Sequence, residues 1–218
     1  MATGSTGTEI WITSDTHYNH KNMCRGVSDW YLRDPNRFIE STRDFQTLQE
    51  MNNALVNNIN NVVGQYDILI HLGDWSFGGF DSIREFYDRL ICKQIYLIVG
   101  NHDKHVKKNL FDIREIFLGG VDKENDEYMF NKHILHLTHY PLTSWNKIRR
   151  GSIHLHGHTH FKADNRFGKG RKMDVGIDGH PEFRPYNLRT EIISMMIKRS
   201  ILSEYGINED HHIDIIEV

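Results

Sequence analysis

The sequence predicts an α/β fold, and three observations carry that expectation. Short apolar runs at residues 10–13, 68–72 and 95–99 read as buried strands. Segments of helical periodicity alternate with them, which is the pattern of a sheet covered by helices. The second half changes character and is richer in hairpin signals, so the whole suggests two mixed sheets packed as a sandwich, flanked by helices, with no separate second domain.

In chain order, the first strand at residues 10–13 is followed by the longest connector. From Ser41 onward Phe45, Leu48, Met51, Leu55 and Ile59 recur at helical spacing, with Ser41 and Asp44 as a start resembling a capping box. A second helix is expected over residues 82–90, with Asp81 as N-cap and Ile83, Phe86, Tyr87 and Leu90 on its apolar face. Residues 128–130 and 134–138, separated by Asn131-Lys132, read as a β-hairpin from whose returning strand His139 emerges. Further strands are expected at residues 153–156 and 173–177. A last helix starts at Asn187 and presents Leu188, Ile192, Ile193, Met196 and Ile197, and residues 213–216 form a candidate short strand.

A chain of 218 residues can bury a substantial core without staples. Residues 1–8 are expected to be a flexible lead and residues 9–218 one domain. A formal net charge of -3 with 25% charged residues leaves no global basic footprint for nucleic acid. No apolar run approaches the ~18 residues that span a bilayer, so the expectation is a cytoplasmic protein without a membrane partner. Cys24 and Cys92 stand far apart and outside any CxxC pattern, which suggests neither a disulfide framework nor a thiolate metal site.

Five short polar segments carry the chemistry: Asp15-Thr16-His17, Gly73-Asp74, Gly100-Asn101-His102-Asp103, His139, and Gly157-His158-Thr159-His160. Three of them follow strand-like runs, and open α/β sheets bind ligands at the carboxyl ends of their strands. Taken singly, each has an ordinary alternative. Asp15 and Asp103 are also good helix caps, and Gly-Asp after a strand is common turn chemistry. Together they supply carboxylate, imidazole and amide oxygen without thiolate, a donor set for Mn, Zn, Fe or Ni. Two such ions about 3.5–4 Å apart can hold and polarise a phosphate. Asp74 is the candidate bridging carboxylate, and Asn101 offers a neutral oxygen that limits negative charge. In the His154, His156, His158, His160 alternation, Gly157 is expected to break the strand, leaving the last two as ligands.

This ordered set, DxH, GD, GNHD, H and GHxH, resembles the calcineurin-like metallophosphoesterase superfamily over residues 10–178. The resemblance implies that Asp15, His17 and His160 serve one divalent metal and Asn101, His139 and His158 the other, with Asp74 bridging and manganese the first expectation. It implies that His102 is the general acid for the leaving oxygen. It also implies the two-sheet sandwich, and support of a histidine by Asp178. The sequence departs from the protein-phosphatase branch, with His17-Tyr18-Asn19-His20 and Asp74-Trp75-Ser76-Phe77 where that branch has DxHG and GDxVDRG-like runs. A small phosphoester, first a nucleotide-type phosphodiester, is the expected substrate. A phosphomonoesterase, a nuclease and an inactive binding module remain alternatives, and the oligomeric state is open.

Several residues around these motifs have two readings. His20 either reaches a substrate oxygen or lies on a solvated loop. Tyr140, Trp145 and Asn146 either form an aromatic wall for substrate, with Asn146 as a contact, or pin their own loop. Lys162, Arg166, Lys169, Arg171 and Lys172 either steer anions from a mobile hairpin tip or are plain surface. Asp103 is a candidate support for its neighbouring ligands. His71, His133 and His136 read as core or surface residues, and His211 and His212 as a solvated loop. Short connections between motifs predict an open site without a cap.

Overall fold

The computed structural model describes residues 7–106, 127–130 and 132–201. Among these, eight strands form two four-stranded sheets: β1 (Ile10–Thr13), β2 (Ile68–His71), β3 (Gln94–Leu97), β4 (Glu127–Phe130), β5 (His133–Leu137), β6 (Ile153–His156), β7 (Lys172–Asp174) and β8 (Tyr186–Asn187). The first sheet has the order β3-β2-β1-β8 and the second β4-β5-β6-β7. β1 runs parallel to β2, and β2 to β3, while β8 closes the edge antiparallel to β1. In the second sheet a β4–β5 hairpin leads into parallel β6 and β7. This is the mixed two-sheet architecture expected from the sequence. Residues 2–6, 107–110 and 211–216 lie outside the described residues, as does Asn131.

Period-two alternation explains the layering. Ile12, Ile70 and Leu72 face inward and meet Leu135, Leu137, Leu155 and Met173 of the second sheet in one buried cluster. The alternate residue Leu69, with Ile95 and Leu97, faces outward and is covered by Leu55, Ile59, Ile83 and Phe86. Those side chains come from α3 (Leu48–Val62) and α4 (Phe80–Arg89), whose numbers follow two short helices, α1 (Asp29–Arg33) and α2 (Pro35–Phe38). No helix among the described residues is long and apolar enough to cross a membrane.

Several element boundaries differ from the sequence expectation, β3 for instance ending at Leu97. α3 starts at Leu48, not near Ser41, because Thr47 is its cap: Glu50 N–H donates to Thr47 Oγ1 at 3.2 Å, and the Glu50 carboxylate accepts from Thr47 N–H at 3.1 Å. The preceding segment pairs elsewhere, with Arg43 O accepting from Arg25 N–H and Phe45 O from Gly26 N–H, both at 2.9 Å. α4 starts at Phe80 behind Gly79, so Asp81 lies in the first turn, where its charge suits the helix dipole, and is not the cap. β7 ends at Asp174 because the chain then leaves the second sheet: Ile177 N–H donates to Ser14 O at the end of β1, 3.0 Å away. Asn187 does cap the last helical segment, accepting from Arg189 and Thr190 N–H, but the turns over Leu188–Ile193 are wide π-type turns before α5 (Ser194–Met196).

The connector between β1 and α3 is more than a helix. Its short helices, from Lys21–Met23 through α1 and α2 to Ile39–Ser41, build a wall beside the carboxyl ends of the first sheet. The site is therefore walled on that side by the connector.

Buried histidines make the fold acid-sensitive. Burial lowers the His71 and His154 imidazoles to about 3, with His156 adding to the effect on His154. His154 is held neutral between two backbone groups: its Nδ1 lies 3.2 Å from His136 O, and its Nε2 accepts from Leu142 N–H at 3.0 Å. Below about pH 6.5 the unfolded chain takes up protons that these rings refuse. Stability should then fall by about 1.4 kcal/mol per pH unit for each group down to roughly pH 3. Urea unfolding in chelator between pH 7 and 4.5 should show a shallower slope for His154→Gln than for wild type; equal slopes would assign the acid sensitivity elsewhere.

Candidate metal centre

Two groups of three side chains stand at the carboxyl ends of the strands, each arranged so that it could hold a metal ion. Asp15, His17 and His160 form one, and Asp74, His139 and His158 the other; within each, one ligand atom per residue lies within 4.8 Å of the others. The groups adjoin through Asp74, whose Oδ2 is 3.4 Å from His17 Nε2 and 3.6 Å from His139 Nε2. Asn101 Oδ1 is 3.0 Å from His139 Nε2, so the seven candidate ligands of the motifs converge on one place. His17 Nε2 and His160 Nε2 face each other at 3.1 Å.

Five of the seven have a left-handed backbone: Asp15 (φ 56°), His17 (45°), Asp74 (57°), His158 (69°) and His160 (50°). Such conformations cost roughly 1–3 kcal/mol each in non-glycine residues and persist only where the surroundings over-determine them. Close approach of the loops supplies that constraint. At Gly157 an added Cβ would lie 1.9 Å from Ser14 Oγ and 2.4 Å from Asp15 Oδ2; at Gly100 it would lie 2.4 Å from Asp74 Oδ1. The glycines of the GHTH and GNHD motifs are needed because neighbouring ligands occupy that space.

A buried set of side chains holds the loops. The Asp103 carboxylate accepts from Asp74 and Gly100 N–H at 2.7 Å and from Trp75 N–H at 2.9 Å, tying the GD loop to the GNHD loop. Both carboxylate oxygens are taken by these two loops. His71 Nδ1 accepts from Gly73 N–H, so its Nε2 carries the proton toward Thr16 Oγ1, 2.9 Å away, and Thr16 donates to Trp75 O. Asp174 accepts from Thr159 Oγ1, from Phe161 N–H and from Gly176 N–H, fixing the GHTH loop.

Arg43 is the strongest of these ties. Its guanidinium donates to Asp15 O and Thr16 O at 2.7 Å and makes a two-pronged pair with Asp178 at 2.9 and 3.1 Å. Asp178 Oδ2 in turn lies 2.9 Å from His160 Nδ1, leaving His160 Nε2 to face the site. Burial alone would raise Asp178, but Arg43 holds its carboxyl well below the usual range. Burial alone would lower His160, but the Asp178 hydrogen bond raises it. On the other group, His139 Nδ1 is 2.8 Å from Leu72 O, which orients Nε2 in the same way.

The donor set suits a divalent cation. Burial pushes Asp15 up to about 7, with His160 opposing and Asp174 adding to the rise, and its buried Oδ1 has no hydrogen-bond partner. A cation beside that oxygen would restore the ionised form. Burial and His160 lower His17 well below its ordinary value, leaving the neutral ring that a metal needs.

A cavity of about 400 Å³ opens over these residues, lined also by His102, His20, Trp30 and Lys162. His102 is exposed, its ring 5.2 Å from that of His17, and its N–H donates to Asp74 Oδ1 at 2.8 Å. His20 is buried, not solvated: it stacks on Phe77 at 4.1 Å and meets the edge of Trp30, and burial lowers it to about 4. Tyr140 packs its ring against His139 and His158 at 4.9 and 4.8 Å. Trp145 is instead a pin, donating to Ser152, and the exposed Asn146 is not among the residues that line the cavity.

The basic run after GHTH is mostly occupied in structure. Arg166 donates to Ala163 O, Arg171 to Gly151 O and Lys172 to Leu142 O, and only Lys162 of the five lines the cavity. His154 and His156 sit inside β6, which stops before Gly157, and their rings stack on each other.

The calcineurin-like phosphoesterase family model matches residues 8–167. The chain belongs to that family. Membership implies metal-dependent phosphoester hydrolysis with divalent ions and a small phosphoester substrate. An uncharacterized protein of Methanocaldococcus jannaschii is 32% identical over 154 residues, covering 70% of this chain and 69% of that one. The gene 66 protein of Mycobacterium phage D29 is 24% identical over 210 residues, covering 85% and 96%. A solved structure of a protein of unknown function from Aquifex aeolicus is 19% identical, with a TM-score of 0.57 over 87% of this chain and 100% of that chain, and shares the fold.

Removing Arg43 should be worse for folding than removing the charge it holds. Arg43→Met strands a buried carboxylate and should cost about 3–5 kcal/mol in urea unfolding. Asp178→Asn should fold but lose about 10–100-fold in metal affinity by titration. An Arg43→Met protein within 1 kcal/mol of wild type would remove the guanidinium from this role.

Proposed function

We propose that the protein is a two-metal phosphoesterase of small phosphoesters, nucleotide-type phosphodiesters first. The observation that carries the reading is Asp74 Oδ2, placed between His17 of one ligand group and His139 of the other. Asp15, His17 and His160 would hold one ion and Asn101, His139 and His158 the second, with Asp74 shared. Manganese is the first assignment, and zinc, iron or nickel suit the same donors. The ions would supply electrostatic stabilisation of the phosphoryl charge and an activated water.

The chain's own residues do the rest. Arg43, Asp103 and Asp174 hold the loops in register, so the ligands need no rearrangement when substrate arrives. His102 reaches the cavity from a backbone fixed on Asp74, and protonates the departing oxygen. Two free, buried cysteines accord with a reducing, cytoplasmic setting.

The proton-donor role is testable by leaving group. His102→Ala should keep its metals and lose about 10²–10⁴-fold in kcat on alkyl or nucleoside esters. An ester of an acidic phenol needs little protonation and should lose far less. Equal losses on both substrates would take His102 out of the acid role.

A further inference from the structure

A second cavity, of about 590 Å³, meets the first at Asn101 and His102, which line both. Its other lining residues are chemically distinct from the metal ligands: Ser76, Phe77, Gly78, Gly79 and Ile83, together with Lys104 and His105. Phe77 is 42% exposed, and its ring stacks on His20 and lies 5.8 Å from that of His102. Gly78 and Gly79 both have positive φ, 113° and 87°, and a Cβ on Gly79 would point into open space. The floor is therefore bare backbone beside an aromatic face. Lys104 and His105 are exposed, and no acidic side chain among the described residues pairs with either.

We propose that this second cavity receives the leaving group of a phosphodiester, and that the leaving group is a nucleoside bearing a further phosphate. The inference rests on the phosphoesterase reading above and deepens it. A phosphorus held among the seven ligands has room for one substituent under the Trp30 wall of the first cavity. Its other substituent must depart past His102, the proton donor, and the space past His102 is the second cavity. A monoester would leave one of the two cavities without an occupant. Within the second cavity, Phe77 offers a stacking face of base size. Lys104 offers charge, and the His105 ring a hydrogen-bond donor, for a phosphate one nucleoside away from the reacting one. A short oligonucleotide combines these features; a simple alkyl or aryl diester uses only the aromatic face.

The reaction balances without a further reagent. Water adds its oxygen to phosphorus, the bond from phosphorus to the leaving oxygen breaks with its electron pair on that oxygen, and His102 supplies the proton. The proton lost by water restores the overall balance.

Direct binding decides the matter. Dithymidylates with a phosphorothioate link, carrying no terminal phosphate, a 5′-phosphate or a 3′-phosphate, are titrated calorimetrically into the manganese-loaded protein and into Lys104→Gln/His105→Gln. One of the two terminal phosphates should tighten binding to wild type by about 2–5-fold, the range of exposed charge pairs, and the gain should vanish in the double variant. No gain from either phosphate, or a gain that survives the double variant, overturns the assignment. Phosphoester turnover is measured alongside, so the two readings fail separately. Hydrolysis without the phosphate-dependent gain removes only the leaving-group pocket; the gain without hydrolysis of any ester removes the catalytic reading and keeps the pocket.

Discussion

The site depends on one contact between the two sheets. Asp15 leaves β1 of the first sheet, His158 comes after β6 of the second, and the His158 N–H donates to Asp15 Oδ2 at 2.9 Å. With Gly157 pressed against Ser14 and Asp15, this bond sets how closely the sheet ends meet, and hence whether the ligands from both sheets surround one volume. The parallel bridge between Ser14 and Gly176 fixes the same junction a few residues away. The left-handed residues around the centre are its consequence: the loops must turn within two to four residues of each strand end. The buried ties of Arg43, Asp103 and Asp174 offset the strain.

The electrostatics are set by that arrangement. A cluster of buried imidazoles beside two buried aspartates would be costly as an assembly of isolated charges. Burial answers by neutralising His17 and raising Asp15, whereas Arg43 keeps Asp178 ionised and so biases His160 toward its proton on Nδ1. His17 is thus left as a neutral ring and Asp15 with a buried oxygen short of a partner, a state that a cation would complete. Positive charge comes from outside this shell, at Lys162 in the first cavity and Lys104 in the second.

Much of this was legible in the sequence, for specific reasons. Buried strands such as residues 10–13 and 153–156 are continuous apolar or alternating runs bounded by turn residues, a local signal that tertiary context reinforces. The ligands fall in short motifs because strand ends confine them. The start of α3 was misplaced because Ser41 and Asp44 satisfy the capping rule as well as Thr47 and Glu50, and only the pairing of residues 43–45 with residues 23–26 decides between them. Arg43 carried no readable signal, since its partners, the Asp15 and Thr16 carbonyls and the Asp178 carboxylate, lie far from it in sequence. For the same reason the cations after GHTH read as a free basic loop, although Arg166, Arg171 and Lys172 are spent on backbone carbonyls.

The most direct test of the two-metal account is a count. Equilibrium dialysis of the purified chain against manganese, with metal measured per chain, is compared between wild type and Asp74→Asn. The shared carboxylate predicts two ions per chain at saturation for wild type, with at least one lost or greatly weakened in the variant. One ion per chain at saturation in wild type, or two with unchanged affinity in Asp74→Asn, would contradict it.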